Sequence, residues 1–208
     1  MKGLLLKDWY MIKKYCRAYL VIAAILIAVS VVAETNLFLL FYPCMLCGVI
    51  PVNLLSYDER SNWLRYSCTM PYTKKQIVSA KYLIGILSQL ALIALTGIAQ
   101  GIKMTLNGSF EFKDFAVFIS VMLALATLSS SIPLPFVFKM GVEKGRIAYY
   151  VMIGVLCAAS FFAANVIRGE KQAEFGVNTV FAALGIVGVG IYFLSWRLSV
   201  KLFSKREM

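Results

Sequence analysis

Histidine is missing from this chain altogether, and its absence removes both the commonest general base and the commonest metal ligand. Acidic residues are scarce, ten against twenty-one lysines and arginines. No G-x-x-x-x-G-K-[ST] phosphate loop occurs anywhere, so ATP is not bound here by that device. Cys44 and Cys47 stand in a C-x-x-C spacing, but no second pair completes a zinc site and the setting is an apolar run. They read as small apolar side chains in a membrane helix; the other cysteines are Cys16, Cys68 and Cys157. The sequence therefore implies no catalytic residues, no metal and no cofactor held by the chain itself.

What is present is hydrophobic. Of the 208 residues 61% are apolar and 15% charged, against roughly 45–50% apolar in an ordinary soluble domain. Six runs contain no Asp, Glu, Lys or Arg: 18–33, 37–55, 82–102, 115–138, 147–167 and 178–195. Most approach the roughly 20 residues that a membrane-spanning helix requires. Lacking a clean helical or strand period, they predict lipid-facing helices rather than one-sided soluble ones. The first is the shortest and needs flanking residues or a locally thinner bilayer.

Charge placement orients these runs. With the N-terminus inside, seventeen of the twenty-one basic residues fall on the cytoplasmic side, and only Lys103, Lys113, Arg168 and Lys171 lie outside, while acidic residues divide evenly. A net charge of +11 is thus a topology signal in the sense of the positive-inside rule, and nucleic acid is not an expected partner. A cleavable signal peptide ending at Val31-Val32-Ala33 is the competing reading of the first run. It leaves five spans and puts the most basic loop outside, against the asymmetry.

Two polar segments stand out. Residues 1–17 wind into an amphipathic helix with Leu5, Trp9, Ile12 and Cys16 on one side and Lys7, Lys13, Lys14 and Arg17 on another, suited to the inner membrane surface. Asp8 falls in the apolar half and points instead to packing against protein. Residues 56–81 hold two capping-box patterns, Ser56 with Glu59 and Thr73 with Gln76, and Pro71 stops a helix begun near Asp58. A short helix, a sharp turn and a second helix continuing from Lys74 into the third span are predicted. On the short helix Trp63, Tyr66 and Met70 share a face, with Asp58, Glu59, Arg60 and Arg65 around it. Two readings fit that face: a knob for an apolar groove on a partner, or an interfacial helix with Trp and Tyr at headgroup level.

The spans carry no deep ionisable residue, which disfavours a proton- or voltage-driven mechanism. Pro43, Gly48, Pro51, Pro133 and Pro135 can break two of them, which in a secondary transporter exposes backbone carbonyls to an ion, though structural kinks are the commoner cause. Asn53, Gln89, Gln100, Ser129, Ser130, Ser131 and Asn165 are costly in lipid unless they face other helices or a cavity.

Tyr57-Asp58-Glu59-Arg60-Ser61-Asn62-Trp63, then Met70-Pro71-Tyr72-Thr73-Lys74-Lys75-Gln76-Ile77-Val78 and Lys81-Tyr82, resemble the cytoplasmic loop of the ABC-2 type transporter permeases of Gram-positive bacteria. Ser131-Ile132-Pro133-Leu134-Pro135-Phe136 running into Lys139, Gly141, Glu143, Lys144 and Arg146 resembles the end of the fourth span and its following loop, and Lys7-Asp8-Trp9-Tyr10 the N-terminal segment. The nearest subgroup is the small permeases that export peptide toxins and antimicrobial peptides. The resemblance implies an all-α protein of the bacterial cytoplasmic membrane with six spans, both ends cytoplasmic, an interfacial N-terminal helix and a coupling helix over Asp58–Thr69. It implies partnership with a second permease subunit and two ATPase subunits that hold ATP and Mg²⁺. The coupling contacts would be Asp58, Glu59, Arg60, Trp63, Arg65, Tyr66, Met70 and Pro71, with Lys139, Glu143, Lys144 and Arg146 as a minor contact. An immunity or sensor subunit docking a cytoplasmic partner, and a secondary transporter, are the alternative expectations.

Overall fold

A computed structural model describes residues 2–32, 37–67, 69–108, 111–145, 147, 149–151, 153–154 and 174–205. Among these residues the secondary structure is helical, with no strand. The helices that frame the site are α1 Lys2–Tyr15, α2 Arg17–Val32, α3 Leu37–Gly48, α4 Ile50–Arg60, α5 Trp63–Ser67, α6 Lys74–Leu106, α7 Phe112–Ser131, α8 Pro133–Met140 and α9 Glu174–Ser204. Among the described residues three stretches are long and apolar enough to cross a membrane: Lys74–Leu106, Phe112–Met140 and Leu184–Ser204. The second joins α7 to α8, because Ile132 keeps helical torsions at φ −78° and ψ −51° and Pro133 falls in the first turn of α8, where a missing N–H is tolerated. The fifth predicted run lies mostly outside the described residues, as does Asn165.

Helix α6 has 33 residues, about 50 Å at 1.5 Å per residue, and so outruns a hydrocarbon core of about 30 Å. Its N-terminal turns belong to the polar loop, as expected. Thr73 caps it: the side chain accepts from the Gln76 amide while the Gln76 side chain accepts from the Thr73 amide. Removing this reciprocal cap by Thr73→Ala is expected to cost about 1 kcal/mol, read as a lowered midpoint in thermal unfolding of the detergent-solubilised chain; an unchanged midpoint would show that the cap contributes nothing to stability.

The polar residues of the apolar runs bind the bundle together, as lipid demands. Gln89 of α6 donates to the Ala126 carbonyl at 2.6 Å and to Ser130 Oγ at 3.1 Å on α7. The Tyr82 hydroxyl lies 2.7 Å from Ser195 Oγ and 2.6 Å from Ser199 Oγ on α9. Ser195 also donates to the Ser131 carbonyl, and Tyr192 to the Tyr82 carbonyl. Small residues bring the backbones close. A Cβ built on Gly48 would overlap the Ser129 side chain, and one on Gly188 would meet Thr127 Oγ1 at 2.5 Å. Outward faces carry exposed apolar residues such as Leu95, Ile98, Ile186 and Leu194, the pattern of a lipid-facing surface.

One predicted boundary moves. Ser56 does not cap a new helix, because α4 starts at Ile50 with Pro51 in its first turn and runs unbroken to Arg60. Its buried residues Ile50, Val52, Leu54 and Leu55 hold Ser56 in mid-helix. The break comes at Ser61 and Asn62, where Asn62 takes φ +53°, a left-handed conformation that Asn tolerates better than most residues. The segment read as one helix, Asp58–Thr69, is therefore the end of α4, a corner, and the five residues of α5. Turn bonds from Thr69 to Tyr66 and from Met70 to Ser67 lead on to Pro71.

Candidate functional site

Four charged side chains from three helices meet at this corner. Lys7 and Asp8 come from α1, Asp58 from the last turn of α4, and Lys81 from the second turn of α6. Lys7 Nζ is 2.6 Å from Asp58 Oδ1 and 3.5 Å from Asp8 Oδ1. Lys81 Nζ is 2.6 Å from Asp8 Oδ1 and 2.6 Å from Asp58 Oδ2, the latter an ion contact off the hydrogen-bond axis. Two cations and two anions thus alternate around a closed, neutral ring. Asp8, Asp58 and Lys81 are almost wholly buried, at 1–2% exposure, where unpaired charges would be prohibitive. Burial, and then repulsion from Lys81, depress the Lys7 pKa, while Asp58 opposes the shift.

The α1 sequence explains its part. Leu4, Asp8 and Ile12 recur at four-residue spacing and form the buried stripe, so the acid that interrupts the apolar face is the one placed inward. Trp9 lies on the other side, half exposed beside exposed Leu6 and Tyr10, with the Lys13 ammonium 5.4 Å from its ring centroid. The predicted apolar face through Trp9 is thereby corrected: the helix turns Leu4, Asp8 and Ile12 to the protein and leaves Trp9 outside.

Of the predicted contact residues, Asp58 is interior. Trp63 is partly buried, with the Lys7 ammonium 3.4 Å above its ring and the cluster of Val52, Leu55, Ile77 and Phe138 alongside, so it holds α5 against the ring rather than projecting. Tyr66 is 60% exposed, Arg60 and Pro71 are exposed, and Met70 is half-buried beyond the end of α5. Trp63, Tyr66 and Met70 therefore do not form one helical face. The Arg65 side chain and Arg146 lie outside the described residues.

Glu59 joins the two predicted contacts. Its Oε2 accepts from the Val142 amide at 3.0 Å, capping the short helical stretch 142–145 in the manner of a carboxylate at a helix N-terminus. Gly141, at φ +88°, lets the chain turn there, and a Cβ at that position would come within 3.2 Å of Glu59 Oε1. Exposed Lys139, Glu143 and Lys144 consequently sit next to the α4–α5 corner. Sequence reasoning missed both the ring and this link. The one signal for the ring was Asp8 in the wrong half of an amphipathic helix; for the link there was none.

No group of three or more potential metal ligands occurs among the described residues. The arrangement holds a polar corner rigidly against the root of a long apolar helix, and the chemistry on offer is mechanical. It is the architecture of a helical membrane protein. More narrowly, residues 3–204 match the family model described as ABC-2 family transporter protein, and the chain belongs to that family. Membership makes it a membrane component of a transport system, of a family that generally works with separate ATPase subunits, and not the ATPase itself. No curated protein and no solved structure matches it significantly.

Proposed function

We propose that this chain is the permease subunit of an ATP-driven exporter of amphipathic peptides or lipid-like cargo. It works with a second permease subunit and with two ATPases that carry ATP and Mg²⁺, in the cytoplasmic membrane of a bacterium. Six spans with both termini inside remain the arrangement that the charge asymmetry supports. The observation that carries the reading is the α4–α5 corner. Arg60 and Tyr66 stand out on it, and Glu59 ties it to the Lys139–Lys144 patch. The buried ring links it to α1 and α6. A force applied at such a corner reaches an apolar helix without first bending a loose loop, which is what nucleotide-driven closure of a partner requires.

In this reading Arg60, Tyr66, Met70 and Pro71, with Lys139, Glu143 and Lys144, form the docking surface. Asp58, Glu59 and Trp63 position it from within; Arg65 and Arg146 belong to it by the family pattern. The double variant Arg60→Glu with Tyr66→Ala is expected to weaken co-purification with the cognate ATPase by about tenfold or more, on the scale of two interface anchors. Membrane insertion and thermal stability should stay unchanged, since both side chains are exposed. Undiminished assembly and undiminished nucleotide-dependent transport in that variant would refute the docking role.

A further inference from the structure

The start of α6 and the end of α9 lie at one level, because Lys74 Nζ donates to the Ser204 carbonyl at 3.3 Å. A strip of cations and aromatic rings crosses the two helices there. Lys75 Nζ stands 5.6 Å from the Trp196 ring centroid. Trp196 and Phe193 lie 5.4 Å apart between centroids, and the Arg197 guanidinium carbon is 5.0 Å from the Phe193 centroid. Trp196 is fixed in place, its indole N–H donating to Ser79 Oγ on α6 at 3.0 Å. Lys201 follows Phe193 and Arg197 at four-residue spacing, so these three share one face of α9.

On this face the span changes character. Phe193 and Leu194 are more than half exposed and Leu198 is exposed beside them, whereas Arg197, Lys201 and Lys205 carry the same surface on into water. Lys75, Arg197 and Lys201 are exposed, and none forms an ion pair with a described residue. Helix α6 contains no acidic residue, and α9 none after Glu174. The strip is therefore positive with no counter-charge on either of its helices. What fits it is anionic at one end and apolar at the other. A free phosphate would match the cations and leave Phe193, Leu194 and Leu198 uncovered, and a second copy docked through the same strip would bring like charges together.

We infer that this strip is a binding site for an anionic phospholipid, its phosphate held by Lys75, Arg197 and Lys201 and its chains laid along Phe193, Leu194 and Leu198. Bound there, the lipid ties the first turn of α6, two residues past the Thr73 cap, to the end of α9, and so steadies the root of the α4–α5 corner. In the orientation proposed above this headgroup layer is the cytoplasmic one. The site itself requires only that α6 begin and α9 end at the same membrane surface.

Native mass spectrometry of the full-length chain in detergent, titrated with phosphatidylglycerol or with phosphatidylcholine of the same acyl chains, reads the first lipid bound. Phosphatidylglycerol is expected to bind about tenfold or more tightly, since each cation near an anionic surface is worth roughly fivefold. The triple variant Lys75→Gln, Arg197→Gln, Lys201→Gln should cut that ratio to about twofold or less and leave phosphatidylcholine binding as it was. Lys2→Gln, Lys13→Gln, Lys14→Gln removes the same charge from α1 and should stay within about twofold of the parent ratio, because charges on another helix are screened from the strip. All six side chains are exposed, so both variants should keep the parent's thermal midpoint. Equal affinity of the parent for the two lipids would overturn the proposal, as would an equal loss in the α1 variant, the mark of a diffuse basic surface. So would full displacement of the lipid by soluble glycerol phosphate, which would make phosphate alone the ligand. No ATPase enters the test, so its failure leaves the docking proposal standing.

Discussion

Lys81→Met should destabilise the chain by about 3–5 kcal/mol, the cost of breaking a buried ion pair by removing one partner. Two carboxylates, Asp8 and Asp58, would then share the single ammonium of Lys7, which is 3.5 Å from one and 2.6 Å from the other. The ring passes from neutral to a net negative charge on carboxylates that are almost wholly buried, where solvent screening is slight. The ion pairs themselves need not favour folding over well-packed apolar side chains; what costs energy is the orphaned charge. Asp8→Leu combined with Lys81→Met restores neutrality through the remaining Lys7–Asp58 pair. That double variant is expected to be more stable than Lys81→Met alone. Equilibrium unfolding in mixed micelles, run as a double-mutant cycle, gives both numbers, with a coupling of at least about 1 kcal/mol for Asp8 and Lys81. A single variant as stable as the parent would mean that the ring is not formed as described.

Gly48→Ala is expected to have the next largest effect. The added methyl would overlap Ser129 Oγ and lie 2.5 Å from Ser129 Cβ, and Ser129 is wholly buried on α7, its hydroxyl bonded to the Ala126 carbonyl at 2.9 Å. Either α3 must back away from α7 or the serine must leave its rotamer. Overpacking of this kind costs roughly 1–3 kcal/mol, and in a membrane the close approach of small residues is itself a main source of helix association. Ser129→Gly in the same chain removes both offending atoms and should recover most of the loss. If Gly48→Ala unfolds at the parent midpoint, or if Ser129→Gly rescues nothing, the α3–α7 approach is looser than this packing requires.

How far the sequence could be read differs from one element to the next. The Thr73 cap was legible because both partners lie within one turn, so local chemistry decides it. Ser56 and Glu59 present the same pattern and fail as a cap. Nothing local distinguishes the two; the burial of Leu54 and Leu55 does. Gln89 and Ser129 were expected to face other helices for want of water in lipid, and they do. Trp63 was expected to project from a partner-facing helix, but it packs inward because Lys7, 56 positions earlier in the chain, arrives over its ring.

By itself the sequence determined that this is a helical membrane protein, and its motifs pointed to the transporter family to which it belongs. Those are matters of composition, run length and short-range pattern, and they depend on the solvent each segment can tolerate. Only the tertiary structure decided that Asp8, Asp58 and Lys81 share one buried ring and that Glu59 joins two distant loops. Each rests on side chains from separate helices meeting within a few ångströms. Charge balance in a low-dielectric interior rewards such meetings strongly, but the local pattern of any one helix does not announce them.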